Sequence, residues 1–163
     1  MVKEKISQRE IFGEELVAIG KDEPRVVVLD ADLSKSTRTT YFQKAFPNRF
    51  FNLGIAEANM VDVAAGFAAT DMIPVASTFS FLITLRAADQ IRSSIAYPKL
   101  NVKLIGSSGG VSDSYDGPSH HSICDLALMQ AMPNLIVLCP ADPEETKQAL
   151  RSIIAHEGPV FMR

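Results

Sequence analysis

A chain of 163 residues, 47% hydrophobic and 21% charged, has the size and composition of one globular domain with its own core. A net charge of -3 excludes the basic footprint of a nucleic-acid or anionic-membrane binder. The charged start "MVKEKISQRE" lacks a signal peptide's apolar centre, and no apolar run of roughly 18 residues occurs. A cytoplasmic protein with no membrane and no nucleic-acid partner is therefore expected.

In chain order, Ser7-Gln8-Arg9-Glu10 has capping-box spacing and opens a helix to about Gly20. "RVVVLD" is a short β-branched run and predicts a buried strand. The polar loop "ADLSKSTRT" leads to a short helix ending near Pro47. "RFFNLG" follows as a second strand, then a helix from about Ile55 to Thr70. "IPVAST" is a third strand, and "SFLITLRAADQIRSSIAY" one helix stopping before Pro98. "NVKLIGSS" is a fourth strand, whose long loop "GGVSDSYDGPSHHS" runs to a helix around Asp125 to Ala131. "LIVLCP" is a fifth strand, "DPEETKQALRSIIAHEG" a helix started by Asp142 and Pro143, and "PVFMR" a sixth strand. Strands that are continuous apolar runs alternating with helices predict an α/β fold: one three-layer α/β/α domain over 1–163, with a mainly parallel sheet of about six strands. Cys124 and Cys139 belong to no CxxC or Cys/His cluster and are expected as buried small hydrophobes.

In a parallel sheet ligands bind beyond the carboxyl ends of the strands, so the candidate loops are 31–40, 53–58, 77–82 and 106–121. Between Ile55 and Ala69 the only charged residues are Glu57 and Asp62, in a helix otherwise apolar or small on every side. Such a helix is normally buried or packed on a partner. A carboxylate there is either a helix N-terminal acid favoured by the dipole or a buried acid held for proton chemistry. The loop after the fourth strand gathers Asp113, Asp116, His120 and His121, which serve a surface turn or a site. No acid stands at ligand spacing from the histidine pair, so no metal site is expected on this chain. Phe79 and Phe81 sit at a strand-to-helix junction as core packing or as a stacking platform. Arg9, Lys35, Arg38 and Arg163 are charges outside the helix faces, and no GxxxxGK[ST] or GxGxxG cradle is present.

The ordered segments "VVLDADLSKST", "FPNRFFNLGIAEANMVDVAAGFA", "STFSF", "RAADQIR", "DGPSHH" and "PNLIVLCPAD" together resemble the pyrimidine-binding domain of the transketolase family of thiamine diphosphate enzymes. The likeness is nearest to the C-terminal subunit of split transketolases. It implies that Glu57, in "GIAE", hydrogen-bonds N1′ of the cofactor's aminopyrimidine and favours the imino tautomer whose N4′ takes the C2 proton. It also implies that Phe79 and Phe81, or Leu82 in place of Phe81, pack on that ring. Asp116 and His120 would contact substrate hydroxyls, and Arg9, Ser36 and Arg163 the sugar phosphate. Ser108 and Ala88 depart from the family pattern, at a position often histidine and at one often aromatic.

The family holds magnesium and the diphosphate through a "GDG" motif, which this sequence lacks, and its C-terminal subunits continue beyond a segment like "GPVFMR". The resemblance thus implies half a cofactor site, with a diphosphate-binding N-terminal subunit as partner and magnesium bound by that partner. It also implies a homodimer through the 55–70 helix, where Ala56, Ala64, Ala65, Gly66, Ala68 and Ala69 would let a second backbone approach. The expected activity is transfer of a two-carbon ketol unit between sugar phosphates. Alternatives within the superfamily are 1-deoxyxylulose-5-phosphate synthase and the β subunit of a 2-oxoacid dehydrogenase. One of another class is a non-catalytic assembly or regulatory domain.

Overall fold

The computed structural model describes residues 7–163. Six strands form one sheet: β1 Val26–Asp30, β2 Phe50–Asn52, β3 Ile73–Phe79, β4 Lys103–Ser107, β5 Ile136–Leu138 and β6 Val160–Met162. Their order is β2-β1-β3-β4-β6-β5 and every pairing is parallel. The helices are α1 Gln8–Asp22, α2 Ser34–Thr37, α3 Thr40–Ala45, α4 Glu57–Ala68, α5 Ser80–Arg86, α6 Ala88–Gln90, α7 Asp125–Gln130 and α8 Pro143–Ala155. The long helices start where capping chemistry predicts. Ser7 Oγ accepts from Glu10 N, and Asp142 Oδ1 accepts from Glu145 N at 2.8 Å with Pro143 next in line.

Side chains alternate across a strand, so each apolar run feeds two cores. Val26, Val28, Val75, Ile105 and Met162 face Phe12, Leu16 and Ile19 of α1, Phe42 of α3, and Leu150 and Ile153 of α8. Val27, Leu29, Ala76, Leu104 and Phe161 face Met60, Val61 and Ala64 of α4, Ile83 of α5, and Met129 of α7. The three-layer α/β/α fold follows directly: a strand apolar on both sides needs a helix layer on each.

Three expectations need correction. The helix expected over residues 80–97 is broken at Ala87 (φ -119, ψ 20), with α6 and a π-helical turn over Ile91–Ala96 beyond it. Ile83, Ala87, Ile91 and Ile95 are all buried, a strict four-residue repeat. That repeat outruns 3.6 residues per turn, and a break plus a wider turn keeps all four inward. Cys124 and Cys139 are exposed rather than buried, because one precedes α7 in a surface loop and the other follows the half-exposed edge strand β5. Finally, α4 is two-sided: Met60, Val61, Ala64 and Ala65 point into the core, while Asn59, Asp62, Gly66 and Ala69 are exposed. Asp62 accepts from Ser94 Oγ at 2.8 Å, tying α4 to the π turn.

Lys103 opens β4 with no exposed surface. Its Nζ donates to Asn101 Oδ1 (2.6 Å), His156 O (2.8 Å) and Gly158 O (2.7 Å), three acceptors for three ammonium protons. The lysine thereby ties the loop between α8 and β6 to the sheet. Burial pushes its pKa down to about 8 from 10.5, against an opposing pull from Glu157. Lys103→Met leaves His156 O and Gly158 O without this donor and Asn101 Oδ1 with Gly158 N alone, and we expect it to lower the unfolding free energy by about 1–3 kcal/mol in urea titrations near neutral pH. The pH dependence has a definite sign. Between about pH 8 and 10.5 the unfolded chain binds more protons at this position than the folded one. Wild-type stability therefore gains a rising contribution across that window, and the methionine variant lacks it.

Candidate functional site

At the carboxyl end of β1 the Asp30 carboxylate is fully buried. It accepts from Leu33 N (2.6 Å), Thr39 Oγ1 (2.8 Å) and Thr37 Oγ1 (2.9 Å), pinning both sides of the loop that carries Ser36. Burial raises its pKa and those hydrogen bonds oppose the rise.

Beyond the strand ends lies a cleft of roughly 680 Å³, walled by α1 on one side and the loop after β4 on the other. Arg9, Ser36, Phe79, Asp116 and Arg163 all line it, as do Ser77 and Ser108. The Ser77 Oγ is buried and has no hydrogen-bond partner among the described residues. Arg163 enters the cleft along Gly109, where a Cβ would come within 2.5 Å of its Cδ. Its Nη1 donates to Asp125 Oδ1 at 3.2 Å. Asp125 is itself buried at the start of α7, accepting also from Ser80 Oγ and Leu126 N. Burial works to raise the Asp125 pKa, but these donors and the Arg163 charge hold it below the usual carboxylate value.

Glu57 stands apart from this cleft. It is the first residue of α4, so its carboxylate sits in the positive field of the helix start. Only 3% of the residue is exposed. Among the described residues its one hydrogen-bond partner is Arg86, the last residue of α5, whose Nη1 lies 3.0 Å from Oε1 and 3.2 Å from Oε2. The α4 layer thus carries the acid, while the cleft opens towards α1 and α8. The His120 ring meets Phe81 edge-on at 5.1 Å and Phe79 at 6.3 Å. Phe79 and Leu82 are buried, yet neither belongs to either core cluster.

The nine residues singled out in the sequence fall into two groups. Arg9, Ser36, Phe79, Asp116 and Arg163 share the cleft, whereas Glu57, Phe81, Leu82 and His120 are not among its lining residues. Sequence reasoning missed Arg86, Asp125 and Asp30. Arg86 lies inside the quoted "RAADQIR" and Asp30 inside "VVLDADLSKST", but their partners depend on tertiary contact. Asp125 had only the weak signal of an acid opening a helix.

Comparison with known proteins places these features in a family. Residues 4–163 match the family described as "Transketolase, pyrimidine binding domain". A protein of Methanocaldococcus jannaschii described as a transketolase C-terminal section is 48% identical over 155 residues, covering 95% of this chain and 49% of that protein. A 1-deoxy-D-xylulose-5-phosphate synthase of Desulfotalea psychrophila is 38% identical over 154 residues, covering 94% of this chain and 23% of that enzyme. A solved structure described as a split gene transketolase in an inactive β4 tetramer superposes with a TM-score of 0.86 at 49% identity, covering 98% of this chain and 51% of that one. The chain spans about half the length, or less, of the relatives it matches. The six parallel strands, the acid at the start of α4 and the matched residues 4–163 together make this chain a member of the transketolase pyrimidine-binding domain family.

Proposed function

We propose that residues 1–163 form the pyrimidine-binding part of a thiamine diphosphate-dependent transketolase that moves a two-carbon ketol unit between sugar phosphates. The observation that carries this reading is Glu57: an acid with 3% exposure, at a helix start, whose one described partner is a half-exposed arginine. Burying a carboxylate on so little compensation is costly for a purely structural domain. An acid that awaits a ring nitrogen accounts for it.

The residues present fit the pyrimidine half of the cofactor. When bound, the cofactor supplies the carbanion chemistry, and the protein's part is to position and tune it. Glu57 would hold a proton-sharing hydrogen bond at N1′, made stronger by the dry surroundings. Phe79, Phe81 and Leu82 would bound the ring and exclude water. Asp116 in the cleft and His120 outside its lining would orient substrate hydroxyls, while Arg9, Ser36 and Arg163 in the cleft would receive the phosphate. The buried, unpartnered Ser77 Oγ supports a polar ligand there. We assign magnesium and the diphosphate to an N-terminal partner subunit, and the cytoplasm as the place of assembly. The neighbour described as an inactive β4 tetramer supports the need for a second kind of chain.

We also propose self-association through the outward face of the 55–70 helix. Its small residues there are Gly66 and Ala69, since Ala64 and Ala65 are committed to the chain's own core. The second reading is 1-deoxyxylulose-5-phosphate synthase, favoured by the "DGPSHH" loop and the 38% identical relative. The preferred donor of the reconstituted enzyme, a ketose phosphate or a 2-oxoacid, separates the two.

Three outcomes test the proposal. Calorimetric titration of the chain alone with thiamine diphosphate and magnesium should show no micromolar binding, and tight binding without a partner would overturn the shared site. Glu57→Gln should lower turnover of the reconstituted enzyme by about a hundredfold or more. Full activity in that variant would end the catalytic assignment. Sedimentation should find the chain dimeric or larger, and Gly66→Trp, which adds bulk on the exposed face without touching the core, should shift it towards monomer.

A further inference from the structure

The contact between Glu57 and Arg86 is lopsided. The Glu57 side chain is 4% exposed and the Arg86 side chain 52%. One nitrogen, Nη1, serves both carboxylate oxygens, and among the described residues no other guanidinium nitrogen of Arg86 has a hydrogen-bond partner. Arg86 stands where α5 ends, immediately before the break at Ala87, so its side chain is held by little besides the acid it covers. One partner is buried and the other is half exposed.

Charge then decides what the pair does. A proton-sharing bond between Glu57 and a ring nitrogen has two forms. In one, the acid donates to a neutral ring. In the other, the carboxylate accepts from a protonated ring. A guanidinium within hydrogen-bond distance competes with the first, because its Nη1 already donates to both carboxylate oxygens, and opposes the second, because it repels a cationic ring. Nη1 takes one acceptor site on each oxygen, on the side the guanidinium covers, so a ring nitrogen arriving there has to displace that contact. We propose that Arg86 is a positioning residue of the cofactor site that acts through Glu57. It is the counter-ion that makes the buried carboxylate tolerable before the cofactor arrives, and the ring nitrogen replaces it on binding.

The inference rests on the cofactor role proposed for Glu57. It makes two effects run in opposite directions, which a merely structural ion pair would not do. Removing a structural pair weakens the fold and the site together. Removing a counter-ion that must be displaced weakens the empty chain and tightens the loaded site. A half-exposed ion pair of ordinary strength corresponds to roughly fivefold in affinity.

The test measures thiamine diphosphate binding with magnesium, by calorimetry on the complex with the diphosphate-binding subunit, alongside the melting temperature of the chain alone. Arg86→Gln should melt lower than wild type by itself and bind the cofactor about fivefold tighter in the complex. Arg86→Lys keeps a charge on a shorter, single-point donor and should fall between the two in both measurements; it carries the comparison if the glutamine variant fails to assemble. Unchanged or weaker binding in the variants, beside a wild-type complex that binds, would overturn the role of Arg86. A wild-type complex that binds no cofactor would instead overturn the proposed function, so the two failures are distinguishable.

Discussion

A carboxylate removed from water has to be compensated, and in this chain that constraint organises the end of the sheet where ligands are expected. Glu57, Asp30 and Asp125 are all buried at the carboxyl ends of strands or at the helices that follow them. Each is compensated differently. Asp30 draws on a backbone N–H and two threonine hydroxyls, all within ten residues of chain. Asp125 draws on a serine hydroxyl, its neighbour's N–H and the Arg163 guanidinium, which ties α7 to the end of β6. Glu57 has Arg86 alone among the described residues. The first two networks are largely satisfied and so fix geometry. The third is the least satisfied of the three among the described residues.

The parallel sheet makes this gradient possible. Because every strand runs the same way, all six deliver their following loops to one end. The opposite end has its own buried charge, Lys103, but there three acceptors match three protons and the group closes the fold. Lys103 thus contrasts with Ser77 at the carboxyl end, whose Oγ lacks a partner among the described residues.

Much of this was legible in the sequence because the physics involved is local. Continuous β-branched runs announce strands covered on both faces, and "RVVVLD" and "IPVAST" became β1 and β3 within a residue or two. Capping residues placed the starts of α1 and α8. The family motifs led to Glu57 and to the five residues that share the cleft. What stayed hidden was non-local or depended on fine periodicity. Arg86 and Glu57 meet across 29 positions of chain, and no spacing rule connects them. The break at Ala87 follows from a four-residue repeat that, on paper, looks much like an ordinary helical one. The cysteines looked apolar enough to bury, and only the edge position of β5 and the loop before α7 explain their exposure.

The same distinction clarifies why the α4 helix looked uniformly apolar. Its inward face is built of Met60, Val61, Ala64 and Ala65, and its outward face of Asn59, Asp62, Gly66 and Ala69. A helix that lies on a sheet needs only one apolar face, so small residues on the other are not explained by the domain's own packing. Asp62, on that outward face, is exposed and accepts from Ser94 Oγ. Two acids five positions apart therefore have opposite meanings, set by which side of the helix each occupies. Glu57 turns inward at the first helical residue, where the dipole favours a negative charge but, among the described residues, Arg86 is the one side-chain donor. Asp62 turns outward, where water and one hydroxyl suffice. The helix is thus ordinary in its inner packing and unusual in two places, its first residue and its small outer face, and both make chemical sense when other molecules are supplied from outside the chain.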